Sequence, residues 1–315
     1  MVNQIPIIID VDTGTDDAIC ITAALLNNDL LDIKAFTSVC GNAPIEKTSR
    51  NTLNVIDYLG FDYPVAVGAD KPLKHELTLA ISHGDSGLGD VVLPNSAKSF
   101  MKHPAHTIIY EQACAANGNL QILAVGPLTN IALAIEKHPD IIPLIKKITI
   151  MGGGLYGGNM TMTSEFNIYN DPDAAKIVFD SGIDLTMVGL DVTLKPKLPI
   201  WVVEKVNEID TPFGKLVSMI FDFMQRRKVE IGGDDPNLHD VIALAAIVKP
   251  DLFTFKDFFM TVETQGTITR GMTIADFNNV EAKAPNVHAA IDINIDLFWD
   301  WFVKNLKKGG VNNDE

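Results

Sequence analysis

The sequence of 315 residues predicts an α/β protein: a single-domain, Rossmann-like open sheet, mostly parallel, with helices on both faces and a few late antiparallel strands. Three observations carry that expectation. Strand-like and helix-like segments alternate through the first two-thirds of the chain, as βαβ units do. The strand-like runs are short, apolar and bounded by turn residues, which marks core strands. No internal repeat, linker or low-complexity segment divides the chain, so residues 1–308 are read as one domain and 309–315 as a disordered tail.

Taken in order, IPIII opens a buried strand that leads through Thr13-Gly14-Thr15 into a helix over DDAICITAALLNN. Asp32 to Cys40 is a second strand, ending at Gly41-Asn42. A helix follows from about Ile45 to Leu59, then a short strand from Pro64 to Gly68. From His75 to Pro94 the chain is irregular, and Gly84, Gly87 and Gly89 mark a polar loop over or near a site. HTIIYEQACAANG is a helix stopped by Gly118. LQILAVG is a buried strand, and Pro127 opens the next helix. KKITIMGGG is a strand running into glycines, and DPDAAKIVFDSG is a helix capped by Asp171. IDLTMVGLD is a strand. Leu198 to Val229 is mostly helical, Gly232-Gly233 breaks it, and DDPNLHDVIALAAIVKP enters another helix. Three late strands and the helix DINIDLFWDWFVKNLKK close the chain.

Composition bounds the function. The net charge of −15 argues against nucleic acid and membrane surfaces, which call for basic clusters. Cys20, Cys40 and Cys114 have no CxxC spacing and read as reduced core residues. With no signal segment and no apolar run of membrane-spanning length, the expectation is a cytoplasmic protein.

The chemistry concentrates in IPIIIDVDTGTDDA, where Asp10, Asp12, Asp16 and Asp17 fall within eight positions. They sit where a buried parallel strand meets a helix start, the place where open α/β sheets bind ligands. Four like charges repel, and keeping several ionised needs a cation. Helix capping alone needs one acid, so a divalent-cation site is the better account. A phosphatase-type DxDx[TV] pattern fails at Gly14, and so does an EF-hand, which needs an oxygen ligand at that loop position.

The third pattern, D-x-D-x-G-x-D-D-A, resembles the opening signature of the inosine–uridine-preferring nucleoside hydrolases, with Thr13 where proline is usual. The resemblance continues in order through Gly41-Asn42, His83-Gly84, Gly126-Pro127-Leu128-Thr129-Asn130, Met151-Gly152-Gly153, Glu165-Phe166-Asn167, His239-Asp240 and the GTITRG of residues 266–271. It implies Ca²⁺ held by Asp12, Asp17, Asp240 and the carbonyl of Thr129. It also implies ribose gripped by Asp16, Asn42, Asn159, Glu165 and Asn167, with Met151 beside it. Calcium takes six to eight oxygens, which leaves room for water and two ribose hydroxyls.

An acidic pocket suits an oxocarbenium-like transition state. The Ca²⁺-bound water is the expected nucleophile, with Asp12 as its general base. His239 is the candidate to assist the departing base, though a histidine before a helix can simply cap or pack. His83 is a second candidate to contact the base. Some family members carry tyrosines upstream of the histidine; here that helix holds Phe221, Phe223, Arg226 and Arg227 instead. The two phenylalanines are open between core and base stacking, and the two arginines read as a solvated face, with one pointing into the site as the alternative. Gly152-Gly153-Gly154 lacks the following Lys or Ser/Thr of a phosphate cradle.

The sequence therefore points to hydrolysis of the N-glycosidic bond of a small ribonucleoside by a Ca²⁺ enzyme, a homodimer or homotetramer by resemblance. Its rivals are a metal-dependent phosphohydrolase and a non-catalytic ribose or nucleoside binder. The preferred base stays open.

Overall fold

The computed structural model describes residues 4–310 apart from 81 and 232–234. The Gly232-Gly233 break and the tail beyond 310 therefore lie outside the described residues. The strands are β1 (Ile5–Val11), β2 (Leu31–Ser38), β3 (Val65–Val67), β4 (Leu120–Ala124), β5 (Ile145–Met151), β6 (Leu185–Val188), β7 (Phe253–Phe258), β8 (Met260–Val262), β9 (Thr273–Ala275) and β10 (Val287–Ile293). The helices are α1 (Thr15–Leu25), α2 (Ile45–Tyr58), α3 (Ala105–Ala116), α4 (Thr129–Lys137), α5 (Phe166–Asn170), α6 (Pro172–Asp180), α7 (Leu190–Thr193), α8 (Ile200–Asn207), α9 (Pro212–Ile231), α10 (His239–Val248) and α11 (Ile295–Lys307).

Eight strands form one sheet in the order β3-β2-β1-β4-β5-β6-β10-β7. All neighbours are parallel except β7, which runs antiparallel to β10 at the edge. β8 and β9 make a separate antiparallel pair. β1 is the hinge of the topology: it pairs with β2 on one side and β4 on the other, so the strand order reverses there. That reversal leaves a crevice at the carboxyl ends of β1 and β4.

The side chains of β1 alternate between two cores, as the strand period requires. Ile7, Ile9 and Val11 pack with α1, α2 and the late helices, and Ile8 packs with α3, α4 and α6. Ile7, Ile8 and Ile9 are all fully buried, each contributing about 1.5–3 kcal/mol of burial. A rigid, twice-covered strand therefore delivers the acids that follow it.

Several local features differ from the expectation. The stretch around Phe166 forms a five-residue helix, too short to carry a periodic signal. α3 ends one residue earlier than Gly118, because Asn117 already takes the left-handed conformation. Cys114 is exposed rather than in the core: α3 buries Ala105, Ile108, Ile109 and Ala113, and Cys114 falls off that face. All three cysteines are free. Among the described residues, no helix is long and apolar enough to cross a membrane.

Between β3 and α3 the described residues form no helix or strand, and this loop arches over the crevice. It is tied down on both sides. Thr78 N–H donates to Asn170 Oδ1 at 3.0 Å, and the Ser86 carbonyl accepts from Asn51 at 2.9 Å.

Candidate active site

Asp12 follows β1 directly, and Gly14 caps α1 so that Asp16 and Asp17 fall in its first turn. Asp17 folds back over this turn, accepting from Asp12 N–H at 3.0 Å and Gly14 N–H at 2.9 Å. Asn42, in the turn that follows β2, clamps both acids. Its backbone N–H donates to Asp12 Oδ2 at 2.7 Å and its amide to Asp17 Oδ2 at 2.9 Å. Asp240 arrives from the first turn of α10, and carboxylate oxygens of Asp16, Asp17 and Asp240 lie within 4.8 Å of one another.

Burial is the first cause of a raised carboxyl pKa throughout this group. It pushes Asp16 and Asp17 up to about 6 and lifts Asp12 and Asp240 well above the usual range, with neighbouring acids adding to the effect at Asp12, Asp17 and Asp240. Asp12 Oδ1 is buried with no hydrogen-bond partner among the described residues. Oxygen-only donors, mutual repulsion and an unpartnered buried carboxylate oxygen together fit a hard divalent cation. Asp12 also needs glycine on both sides. A Cβ at Gly41 would stand 2.1 Å from Asp12 Oδ2, and one at Gly126 would stand 2.9 Å from Oδ1.

Asp10 points the other way, toward α4. Its Oδ2 accepts from Thr37 at 2.7 Å and Asn130 at 2.9 Å, and burial raises its pKa to about 7. Asn130 also holds the Ser38 carbonyl at 3.0 Å, so this acid braces strand ends and does not face the crevice.

A cavity of about 610 Å³ opens above the acids. Asp16, Asn42, His83, Met151, Asn159, Glu165, Asn167, His239 and Asp240 all line it. Asp12 and Asp17 do not line it; they are buried behind Asn42. Thr129 does not line the cavity either. It is the first residue of α4, its hydroxyl donates to Asp171 at 2.7 Å, and a helical carbonyl points along the axis toward the helix C-terminus. The residue that lines the cavity here is Val125, just past β4.

Glu165 is spaced too far upstream to cap a helix at Asp171, but it caps α5 instead. Oε1 accepts from Asn167 N–H at 2.9 Å, and Oε2 accepts from Gly153 at 3.0 Å and Ile168 at 3.1 Å. Burial still pushes it up to about 7 against those backbone bonds. Asn167 donates its amide to the Val125 carbonyl at 2.8 Å and the Met151 carbonyl at 3.1 Å. With both N–H groups engaged, it meets a ligand only as an acceptor through Oδ1. Asn159 is exposed, and its Oδ1 accepts from Phe166 N–H at 3.0 Å. The glycine run is likewise committed: Gly153 N–H serves Glu165, and Gly154 N–H serves Thr273 at 2.9 Å. Neither amide is left for a phosphate.

Two histidines face the cavity. His83 Nδ1 meets the Thr15 hydroxyl at 2.7 Å and sits 3.9 Å from Asp16. His239 Nδ1 lies 2.8 Å from the Thr193 hydroxyl, and burial lowers its pKa to about 4, so the ring is neutral. The outer end of the cavity takes Met224, Arg227 and Lys228 from the last turns of α9. Arg227 pairs with Glu230 at 3.2 Å, and Lys228 with Asp235 at 2.5 Å. Arg226 turns away to Asp90. Phe221 is fully buried against Phe302, and Phe223 lies against Gly89, so neither ring lines the cavity.

Sequence patterns missed Val125, Thr15 and Thr193, because a backbone carbonyl and a supporting hydroxyl leave no motif. Lys228 was legible only as a charge on a helix end.

The family model described as inosine-uridine preferring nucleoside hydrolase matches residues 7–300. The pyrimidine-specific ribonucleoside hydrolase RihA of Escherichia coli is 40% identical over 307 residues, covering 96% of this chain and 98% of that protein. Among solved structures, the purine-preferring ribonucleoside hydrolase from Gardnerella vaginalis superposes with a TM-score of 0.90 at 32% identity, over 96% of this chain and 98% of its own. A plant nucleoside hydrolase superposes with a TM-score of 0.91 at 30% identity, over 97% and 99%.

Proposed function

The chain belongs to the inosine–uridine preferring nucleoside hydrolase family, and from that premise we propose that it hydrolyses the N-glycosidic bond of ribonucleosides to ribose and free base. The observation that carries this reading is the cluster of buried carboxylates at the strand-order reversal, opening onto a cavity of about 610 Å³. Cleaving a glycosidic bond puts positive charge on the sugar, and a pre-set negative floor stabilises that charge without reorganising.

Asp12, Asp17 and Asp240 would hold the cation, and Val125, which lines the cavity where Thr129 does not, is the residue we favour for the main-chain oxygen. Calcium, when bound, supplies compensation for the acids and a water whose pKa is partly lowered. Asp12 then acts as general base through its unpartnered Oδ1, a contribution of about 10²- to 10⁴-fold. Asp16, Asn42, Asn159, Glu165 and Asn167 grip the ribose, and Met151 lies beside it. Asn167 receives a hydroxyl hydrogen at Oδ1, since its amide is spent on Val125 and Met151. His239 assists the departing base as a neutral hydrogen-bond donor, and His83 contacts the base from the loop. Calcium as the metal, and a homodimer or homotetramer, are the choices that the family resemblance supports.

The test is a panel of inosine, uridine, adenosine and cytidine assayed for reducing sugar, with and without chelator. Ribose release that chelation abolishes and calcium restores is the expected result. Phosphate release from nucleotides with a Mg²⁺ requirement would instead support a phosphohydrolase, and tight binding without turnover a sensor. Deoxyinosine turned over as fast as inosine would contradict the grip on the ribose hydroxyls.

A further inference from the structure

The two cavity-facing imidazoles are anchored alike, each by a threonine on its Nδ1. Thr15 meets His83 twice, through its backbone N–H at 3.2 Å and its hydroxyl at 2.7 Å. A backbone amide only donates, so His83 Nδ1 is an acceptor and the neutral ring carries its proton on Nε2. Among the described residues, His239 Nδ1 has one such anchor, the Thr193 hydroxyl at 2.8 Å. Thr193 is fully buried at the end of α7, and its backbone carbonyl accepts from Asn237 at 2.9 Å. That bond pins α7 to the segment that leads into His239.

A hydroxyl donates or accepts, so distance alone fits either tautomer of His239. The leaving group decides between them. As the bond from sugar to base breaks, its electron pair moves onto the base nitrogen. An unprotonated Nε2 there sets lone pair against lone pair, whereas an Nε2–H relieves the new charge. Resting on the nucleoside-hydrolase reading, we propose that Thr193 is a positioning residue: its hydroxyl donates to His239 Nδ1 and keeps the ring proton on Nε2, facing the departing base. The hydrogen bond made by one ring nitrogen sets what the other can do. His83, locked by a backbone amide, needs no such help from a side chain.

The experiment compares Thr193→Val with Thr193→Ser on two substrates, inosine or uridine and 4-nitrophenyl riboside, whose phenolate departs without a proton. For Thr193→Val, kcat on the nucleosides should fall by about 10²-fold, with KM little changed. Its kcat on 4-nitrophenyl riboside should stay within about twofold of wild type, the split expected when only leaving-group assistance is lost. Thr193→Ser should recover most of the nucleoside rate. Thr15→Val, which spares the backbone amide, should lose much less. An equal loss on both substrates makes Thr193 merely structural and overturns the proposal, as does an unchanged nucleoside rate. Should the valine variant not fold, Thr193→Ala carries the same comparison. A wild-type protein inactive on every riboside would overturn the underlying nucleoside-hydrolase reading, visible before any variant is made.

Discussion

The floor and the outer end of the cavity are built in opposite ways. On the floor, Asp12, Asp17 and Asp240 are buried, carried by β1, α1 and α10, and cross-braced by Asn42. At the outer end, Leu79 and Ser82 come from a loop, and Arg227 and Lys228 from the last turns of a helix, all more exposed. The chemistry common to all ribonucleosides happens at the sugar, and it gets the rigid half. The base differs between substrates, and on the proposed reading it meets the half that can change without disturbing the sheet. Relatives named as pyrimidine-specific and purine-preferring share this fold, as such a division allows.

The largest expected effect strikes the floor. Asp12→Asn should lower kcat by about 10²- to 10⁴-fold while a ribose-containing ligand still binds, as calorimetry would read; near-normal turnover would remove Asp12 from its role. Next, Asn42→Ala deletes the amide that holds Asp17 and should weaken calcium affinity by about 10- to 100-fold. Titrating calcium against thermal stability measures this, and an unchanged affinity would mean that the floor braces itself without Asn42.

The pH dependence separates the halves again. In the cation-free chain, Asp16 and Asp17 titrate at about 6 in place of 3.8. Between those values the unfolded chain has released protons that the folded chain keeps, so stability falls as pH rises through this window. Calcium favours the ionised acids and opposes that loss. Its gain in Tm should therefore grow between about pH 4.5 and pH 7, and melts with and without calcium giving equal gains at both would argue against a cation on these acids. The smallest catalytic effect belongs to the outer end. Arg227→Ala should shift the ratio of kcat/KM between uridine and inosine by up to about tenfold. A uniform loss on every base would instead tie Arg227 to the sugar.

The same division governed what could be read from the chain. Much of the floor was legible because Asp12, Asp16 and Asp17 fall close together in sequence, fixed by one strand-to-helix turn. The sheet was legible because parallel strands need apolar runs, as in Ile7 to Ile9. Features made by backbone were not. Val125 offers a carbonyl that any residue type would carry, and Phe166–Asn170 is too short for a helical period. Nor could the α9 end be resolved from pattern. Arg226 and Arg227 are adjacent and chemically identical, and only the helix phase sends one to Asp90 and the other to the cavity.

One contact ties the cavity lining to the sheet. Asn167 donates to the carbonyls of Val125 and Met151, which lie at the ends of neighbouring strands β4 and β5. Its side chain is thus an extra rung on the sheet, placed where the ladder would otherwise fray. On the proposed reading, a sugar hydroxyl that engages Asn167 pulls on the sheet and not on a loose loop. The stiffness of the strands is lent to the substrate grip, and occupancy should be felt in return. Bound ribose should slow amide hydrogen exchange along β4 and β5 more than in the loop above, a gradient that Asn167→Ala should erase.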